Sequence, residues 1–358
     1  LARDMAEKEN DPKRKQELLE IAQNCEQVPE YPPLTLHQAL QSFWFTYLIS
    51  RIIEAHSHGI GVRLDQLMYP YYKKDKEGGR TTREQALELV EFIWAKIEET
   101  GQFVFRSFHV VGSGTTLYQT FTIGGVDENG KDASNELSSI IIDASMEMQT
   151  CQTNIALRYH PMMNRELISK AVDLIRTGIG YPAIFNDSAI IPYLLNRGVP
   201  LKDARNYCIP ACVTWGISGK VNQNRIVNAG TIAFGKCLEV ALNQGKNPHN
   251  GKQLGYPTPD PLTFTSIDDV MEAYLKQLNF SIDKIAKIAN MAEAMYVRYG
   301  AMPFTSAVMD GCIENGQDCT TFKEYAFPYL LCAGSTNVAD SLAAIKKLVF
   351  EEKTITMQ

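Results

Sequence analysis

The chain has 358 residues, 45% hydrophobic and 21% charged, with 24 Gly and 16 Pro; that composition belongs to a folded globular protein and excludes a disordered, collagenous or coiled-coil chain. A formal charge of −6 and a pI near 5.6 provide no basic field for nucleic acid or an anionic membrane. No apolar run approaches the roughly 20 residues that a spanning helix needs. Eight cysteines without a CxxC pair suit a reducing cytoplasm better than a disulfide framework. No signal-peptide pattern opens the chain, which starts without Met inside a helical pattern, so its start is expected not to be the natural one.

In chain order, Gln16-Glu17-Leu18-Leu19-Glu20-Ile21-Ala22 reads as an amphipathic helix. Pro29, Pro32 and Pro33 then break it. Thr35-Leu36-His37-Gln38 has capping-box spacing ahead of the apolar run 39–53, which predicts a buried helix. Thr81-Thr82-Arg83-Glu84 repeats the device ahead of 86–97. Trp44, Phe45 and Trp94 are expected in the core. β-Branched and aromatic residues bounded by glycines predict strands over 103–109 and 117–125. Residues 126–131 form a turn with Asn129-Gly130 at its tip. There follow a helix over 135–148, a short strand over 154–159, a helix over 164–176 ending at Gly178, and a strand over 181–185. Residues 194–205 are mixed, 207–213 are apolar, and 227–243, 270–296 and 338–352 are helical. Helices and strands alternate between about 100 and 240, the pattern of βα units on a largely parallel sheet. The expectation is one α/β domain with helical flanks.

Few familiar chemical motifs are present. Gly112-Ser113-Gly114 and Gly124-Gly125 fit no nucleotide-binding loop and read as turns. His56 and His58 stand two apart with no HExxH nearby, so no zinc site is expected. Cys208 and Cys212 have CxxxC spacing, but Trp215 stands where an iron–sulfur motif needs its third cysteine. The unusual stretch is Ala204-Arg205-Asn206-Tyr207-Cys208-Ile209-Pro210-Ala211-Cys212-Val213-Thr214-Trp215. By themselves, two cysteines in an apolar run read as inert core residues more readily than as reactive ones.

The surrounding segments change that reading. Cys25-Glu26-Gln27-Val28-Pro29 with Leu40-Gln41-Ser42-Phe43-Trp44-Phe45, His56-Ser57-His58-Gly59 through Arg63-Leu64-Asp65-Gln66, and Tyr69-Pro70-Tyr71-Tyr72 occur in order. So do Thr122-Ile123-Gly124-Gly125-Val126-Asp127, Asp132-Ala133-Ser134-Asn135-Glu136-Leu137, Arg158-Tyr159-His160, and Gly180-Tyr181-Pro182-Ala183-Ile184-Phe185-Asn186-Asp187. The series ends with Asn337-Val338-Ala339-Asp340-Ser341-Leu342-Ala343-Ala344-Ile345-Lys346-Lys347-Leu348-Val349-Phe350. Over essentially its whole length the chain resembles the glycyl radical enzymes, the superfamily of pyruvate formate-lyase-like proteins.

The resemblance implies that residues 1–358 are part of a ten-stranded α/β barrel with helical flanks, and that a C-terminal glycyl radical domain is absent. Cys212 falls where the family keeps its thiyl-forming cysteine. A stored glycyl radical passes to that sulfur, and the thiyl abstracts hydrogen from a small substrate in a dry cavity. No bound cofactor is implied; the radical is installed on the glycyl domain by a separate radical-SAM activating enzyme. A homo-oligomer, a cytoplasmic location, anaerobic metabolism and no nucleic-acid or membrane partner are also implied. Without the glycyl domain this chain alone is expected to be inactive.

Three departures shape the expected reaction. The RVxGY-like glycyl motif is missing. Thr214 stands where dehydratase, amine-lyase and decarboxylase relatives carry a glutamate, and a hydroxyl cannot act as a general acid–base near neutral pH. Ala211 precedes Cys212, so the Cys-Cys pair of pyruvate formate-lyase is absent. The expected activity is thus a glycyl radical lyase (or formate acetyltransferase-like transferase) that cleaves a carbon–carbon bond or decarboxylates. The alternatives are fumarate addition of the benzylsuccinate synthase type and a non-catalytic barrel module. By position, His56, Ser57, Tyr118, Thr214, Trp215 and Arg225 are expected to face the substrate, with Cys212 largely buried at a loop tip beside them. Asp65 is expected to be structural.

Overall fold

A parallel sheet organises the first part of the chain: β1 (Val62–Arg63), β2 (Gln119–Gly124), β3 (Thr153–Tyr159) and β4 (Ala183–Asn186) lie side by side in that order. The computed structural model describes residues 1–54, 59–100, 119–220, 230–322, 324–325 and 331–358. The strand expected over 103–109 lies outside the described residues, as do residues 117 and 118 of the next one.

The two faces of this sheet differ in chemistry, because successive side chains of a strand point to opposite sides. Phe121 and Ile123 of β2 stand beside Ile155 and Leu157 of β3 in register, and all four are buried in one apolar core. The helices of this part of the chain are α1 (Ala2–Lys8), α2 (Pro12–Gln27), α3 (Leu36–Leu48), α4 (Leu64–Glu77), α5 (Arg83–Glu99), α6 (Glu136–Met148), α7 (Arg165–Arg176), α8 (Asp187–Asn196) and α9 (Leu201–Arg205). Of these, α3 to α7 supply the core residues around the sheet. Trp94 of α5 stacks on Phe121 with ring centroids 4.9 Å apart, and Phe43 of α3 approaches the same ring at 5.7 Å. Burying side chains of this size contributes about 1.5–3 kcal/mol each. The buried indole Nε1 of Trp94 donates to Ser145 Oγ at 2.9 Å, so no polar atom is lost there. On the other face lie Arg63, Thr120, Thr122 and Arg158, with Ala156 between them.

Local signals set several boundaries. Thr35 accepts from Gln38 N and caps α3 as its spacing predicts. For α5 the capping box is Thr82 with Gln85, one residue beyond the expected Thr81–Glu84 pair. Asn135 and Asn164, expected inside helices, are instead the caps of α6 and α7. The sequence reading assigned no element to α4, whose Pro70 lies in the helix interior; burial of Met68 and Tyr72 against the core holds it helical. The predicted turn is present: Asp127 Oδ1 accepts from Asn129 N and Lys131 N at 2.8 Å, and Gly130 takes a positive φ.

The chain divides into two compact units, Leu1–Asn224 with Met302–Ala326, and Arg225–Ala301 with Phe327–Gln358. In the first, the returning segment is clipped through α12 (Pro303–Ala307), where Glu54 accepts from Phe304 N, Thr305 N and Thr305 Oγ1 at 2.7, 2.8 and 2.6 Å. α13 (Cys312–Asn315) follows it. In the second unit, β7 (Thr231–Ala233) pairs in parallel with β8 (Leu331–Ala333). Around them stand α10 (Phe234–Ala241), α11 (Ile267–Tyr299) and α14 (Ser335–Ile345). The helix expected over 227–243 is thus shorter: its described start is a strand, because the β-branched pair Thr231-Ile232 meets Leu331-Cys332 across a ladder. The core here is Ile232, Cys237, Leu238, Val270, Tyr274 and Val338. No described helix is long and apolar enough to cross a membrane.

One glycine is fixed by contact as well as by conformation. Gly125 has φ +76°, and a Cβ there would lie 2.5 Å from Arg158 Nε, whereas Gly178 has φ +83° with open space around it. Alanine at either site pays a left-handed backbone cost of about 1–2 kcal/mol. Gly125→Ala must also displace Arg158, so in thermal unfolding it should lower stability clearly more than Gly178→Ala; equal losses would contradict the packing described.

Candidate active site

Beyond α9 the chain forms a hairpin, β5 (Tyr207–Cys208) against β6 (Gly216–Ile217), with Tyr207 opposite Ile217 and Cys208 opposite Gly216. The connecting loop is 209–215, and Cys212 stands at its middle. The loop tip expected for this cysteine is therefore observed.

The polar face of the sheet holds the approach to that tip. Arg63 donates through Nη1 to Arg205 O at 3.3 Å, a long bond. Arg158 donates through Nη1 to Tyr207 O at 3.0 Å. Ile209 N donates to Thr122 Oγ1 at 2.8 Å, and Thr120 Oγ1 donates to Ala211 O at 2.8 Å. Backbone groups at 205, 207, 209 and 211 are each held by a sheet side chain, every second residue up to the one before Cys212. Thr122 is fully buried and Thr120 nearly so. On the hairpin's other flank, Ser218 Oγ donates to Gly61 O at 3.3 Å, and Gly61 lies so close to Cys208 that a Cβ would meet its Sγ at 2.9 Å.

A buried charge cluster fixes the base of the hairpin. Arg158 binds Asp187 with two parallel bonds, Nε to Oδ1 at 2.9 Å and Nη2 to Oδ2 at 2.8 Å. Tyr207 Oη donates to Asp187 Oδ1 at 2.7 Å, Val126 N donates to Oδ2 at 3.0 Å, and the guanidinium lies 3.9 Å from the Tyr207 ring centroid. Burial drives the Tyr207 phenol far above its ordinary value and the Cys208 thiol up to about 12. Arg63, reaching Gly124 O at 2.8 Å, is pushed down to about 10, first by burial and then by the charge of Arg158. Asp65 accepts from Gly124 N at 2.8 Å and Ser138 Oγ at 2.6 Å, and burial raises its carboxyl. Asp65 thus ties β2 to α6, the structural role expected for it.

Cys212 itself is exposed in this chain, not largely buried as the sequence reading expected. The clamp contacts the loop backbone and leaves the Cys212 side chain uncovered, and β4 of the same sheet is exposed along most of its length. Partial desolvation still raises the Cys212 thiol. Beside it Thr214 is half-buried, and its Oγ1 is a buried atom with no partner among the described residues. Trp215 meets the Tyr193 ring of α8 edge-on at 5.2 Å. The loop thus brings Cys212, Thr214 and Trp215 together. His56, Ser57, Tyr118 and Arg225 lie outside the described residues. The described residues contain no group of His, Cys, Asp and Glu able to hold a metal.

Arg63, Arg158 and Asp187 were visible only as letters within motif segments, and Thr120 and Thr122 only as strand formers. Their signal was a polar alternation, Thr120-x-Thr122, in a strand whose other face is apolar.

A family model described as pyruvate formate lyase-like matches residues 1–358. The chain belongs to the pyruvate formate lyase-like family. It is 34% identical over 99% of its length to a trans-4-hydroxy-L-proline dehydratase of Clostridioides difficile, covering 45% of that protein. It is 33% identical over its whole length to an isethionate sulfite-lyase of Desulfovibrio desulfuricans, covering 43%. A solved structure concerned with 1,2-propanediol dehydration in Roseburia inulinivorans superposes with a TM-score of 0.93 at 38% identity, over 99% of this chain and 44% of that one. The chain spans less than half the length of the curated relatives it matches. At this likeness its fold is part of the α/β barrel of the glycyl radical enzymes, as the motifs implied.

Desolvation raises the Cys212 thiol above its ordinary value, so it carries its proton at neutral pH. Its alkylation by iodoacetamide, followed by mass spectrometry against pH, should rise with a midpoint above the free-cysteine value of about 8.5. A midpoint below that value would contradict the environment described for this thiol.

Proposed function

We propose that this chain carries the hydrogen-abstracting cysteine, Cys212, of a glycyl radical lyase acting on a small organic substrate. The observation that supports this reading is the side-chain clamp that ends one residue before Cys212 and presents a protonated thiol at a loop tip. The radical would be installed by a radical-SAM activating enzyme on a glycine outside residues 1–358, and that glycyl carbon would take the hydrogen atom of Cys212: the S–H bond breaks and a C–H bond forms at the glycine. The thiyl then takes a hydrogen atom from a substrate carbon: an S–H bond forms and a C–H bond breaks. The substrate radical fragments, and the product radical recovers the hydrogen atom from Cys212, so the cycle is redox-neutral.

Thr214 bears on which bond fragments. Its unpartnered hydroxyl can donate to a substrate carboxylate or carbonyl. It cannot deliver a proton to a leaving group at neutral pH, because its pKa is far too high. This favours fragments that depart without protonation, as in carbon–carbon cleavage or decarboxylation. A second reading, carbon–heteroatom cleavage, is favoured by the names of the relatives, which include dehydratases and a sulfite-lyase. It requires an acid other than Thr214. Trp215, His56, Ser57, Tyr118 and Arg225 are proposed to line the same pocket, Arg225 as a bidentate partner for a carboxylate.

In the complete activated protein, Cys212→Ser should abolish turnover while preserving the fold, because an O–H bond is too strong for the radical to move onto oxygen. Thr214→Glu should lower activity, since an unpaired carboxylate is costly in a partly desolvated site. Product analysis against diols, arylacetates, 2-hydroxyalkanesulfonates, and hydrocarbon with fumarate separates the reactions. Undiminished turnover by Cys212→Ser would end the radical assignment, and loss of water from a 1,2-diol by the unmodified protein would end the reading of Thr214.

A further inference from the structure

We infer that Thr120 and Thr122 are positioning residues that set where the Cys212 sulfur stands, acting through the backbone of its loop. The inference rests on the reading of Cys212 as the hydrogen-abstracting residue.

Both threonines project from the middle of β2 toward the hairpin, and each spends its hydroxyl on that loop. Thr120 Oγ1 donates to Ala211 O at 2.8 Å, and Thr122 Oγ1 accepts from Ile209 N at 2.8 Å and approaches Ile209 O at 3.5 Å. A buried parallel strand ordinarily carries Val or Ile at such positions, and valine has nearly the shape of threonine. The hydroxyls are therefore not needed to form β2, whose ladder to β3 runs unbroken from Gln119 to Gly124. They are needed by the loop: Ile209 and Ala211 are buried, lie outside the hairpin ladder, and would leave an N–H and a C=O unsatisfied without them.

The division of labour follows from chain position. Arg158 and Arg63 hold the hairpin at its base, through Tyr207 O and Arg205 O. Thr122 holds it three residues before Cys212, and Thr120 holds the residue directly before. Ala211 O is the last backbone group fixed ahead of the thiol, so a shift there passes undiminished to Sγ. Hydrogen-atom transfer depends on the approach of sulfur to carbon, and a misplacement of about 1 Å can cost on the order of 100-fold in rate. Substrate binding by residues elsewhere in the site is unaffected by such a shift.

The test compares Thr120→Val, Thr120→Ser, Thr122→Val and Thr122→Ser with Cys212→Ala in the complete activated protein. Glycyl radical content is measured by electron paramagnetic resonance, kcat and KM on the substrate found to turn over, and amide hydrogen exchange by mass spectrometry. Thr120→Val should lower kcat at least tenfold with KM within twofold and radical content unchanged, and Thr120→Ser should restore most of the rate. Thr122→Val should act in the same direction but less strongly, being further from Cys212. Exchange should accelerate in 209–215 and not across β2 and β3. Parental kcat in both valine variants, with Cys212→Ala inactive, would overturn the positioning role and leave the cysteine assignment standing. Turnover by Cys212→Ala would instead remove the reading on which the inference rests. Faster exchange throughout the sheet, or no recovery in the serine variants, would reduce the threonines to fold residues and also overturn it.

Discussion

Four side chains of one sheet face reach the backbone that leads to Cys212, at Arg205, Tyr207, Ile209 and Ala211. Thr120 and Thr122 stand two apart on β2 and hold Ala211 and Ile209, which also stand two apart, so the strand's period matches that of the loop backbone. Residues 207–211 are therefore held against the sheet by side chains in place of a backbone ladder. A loop that carries Pro210 and lacks regular structure is fixed this way from the sheet side. The hairpin of only two paired residues per strand would be marginal without that support.

The clamp depends in turn on the Arg158–Asp187 pair. Arg158 can serve Tyr207 O only because Asp187 neutralises it with two bonds, and Asp187 is further satisfied by Tyr207 Oη and Val126 N. Removing one partner of such a buried pair typically costs about 3–5 kcal/mol, whereas the intact pair contributes little net stability against an apolar replacement. The cluster is better understood as fixing geometry than as supplying stability. It joins β3, the start of α8 and the base of the hairpin at one point, and the close approach of Gly125 shows how little space surrounds it.

The apolar half of this architecture was legible in the sequence, and the polar half was not. Strand 154–159 and helices 86–97 and 164–176 were readable because a sheet covered by helices on one face leaves a strong periodic pattern. The motif segments were equally readable, and they led to Cys212 and to the family. What alternation could not reveal was the purpose of the interior polar residues. Thr120 and Thr122 look like ordinary strand formers, and Arg158 and Asp187 meet only through contacts 29 residues apart in sequence. α4 carries Pro70 in its interior, and tertiary burial of Met68 and Tyr72 overrides that helix-breaking residue. The exposure of Cys212 could not be anticipated from composition, since an apolar loop says nothing of which elements cover it.

Taken together, the fold sets a protonated thiol and a hydroxyl without a partner among the described residues on one loop, and fixes that loop from the sheet side. The central proposal is that Cys212 of this loop is the atom-transfer residue. The most direct test is a crystal structure of the complete protein with its substrate bound. The account predicts Cys212 Sγ within about 4 Å of the carbon that loses hydrogen, near attack distance, and Thr214 Oγ1 within hydrogen-bonding distance of a substrate oxygen. A substrate bound elsewhere, with Cys212 facing away from it, would contradict the account.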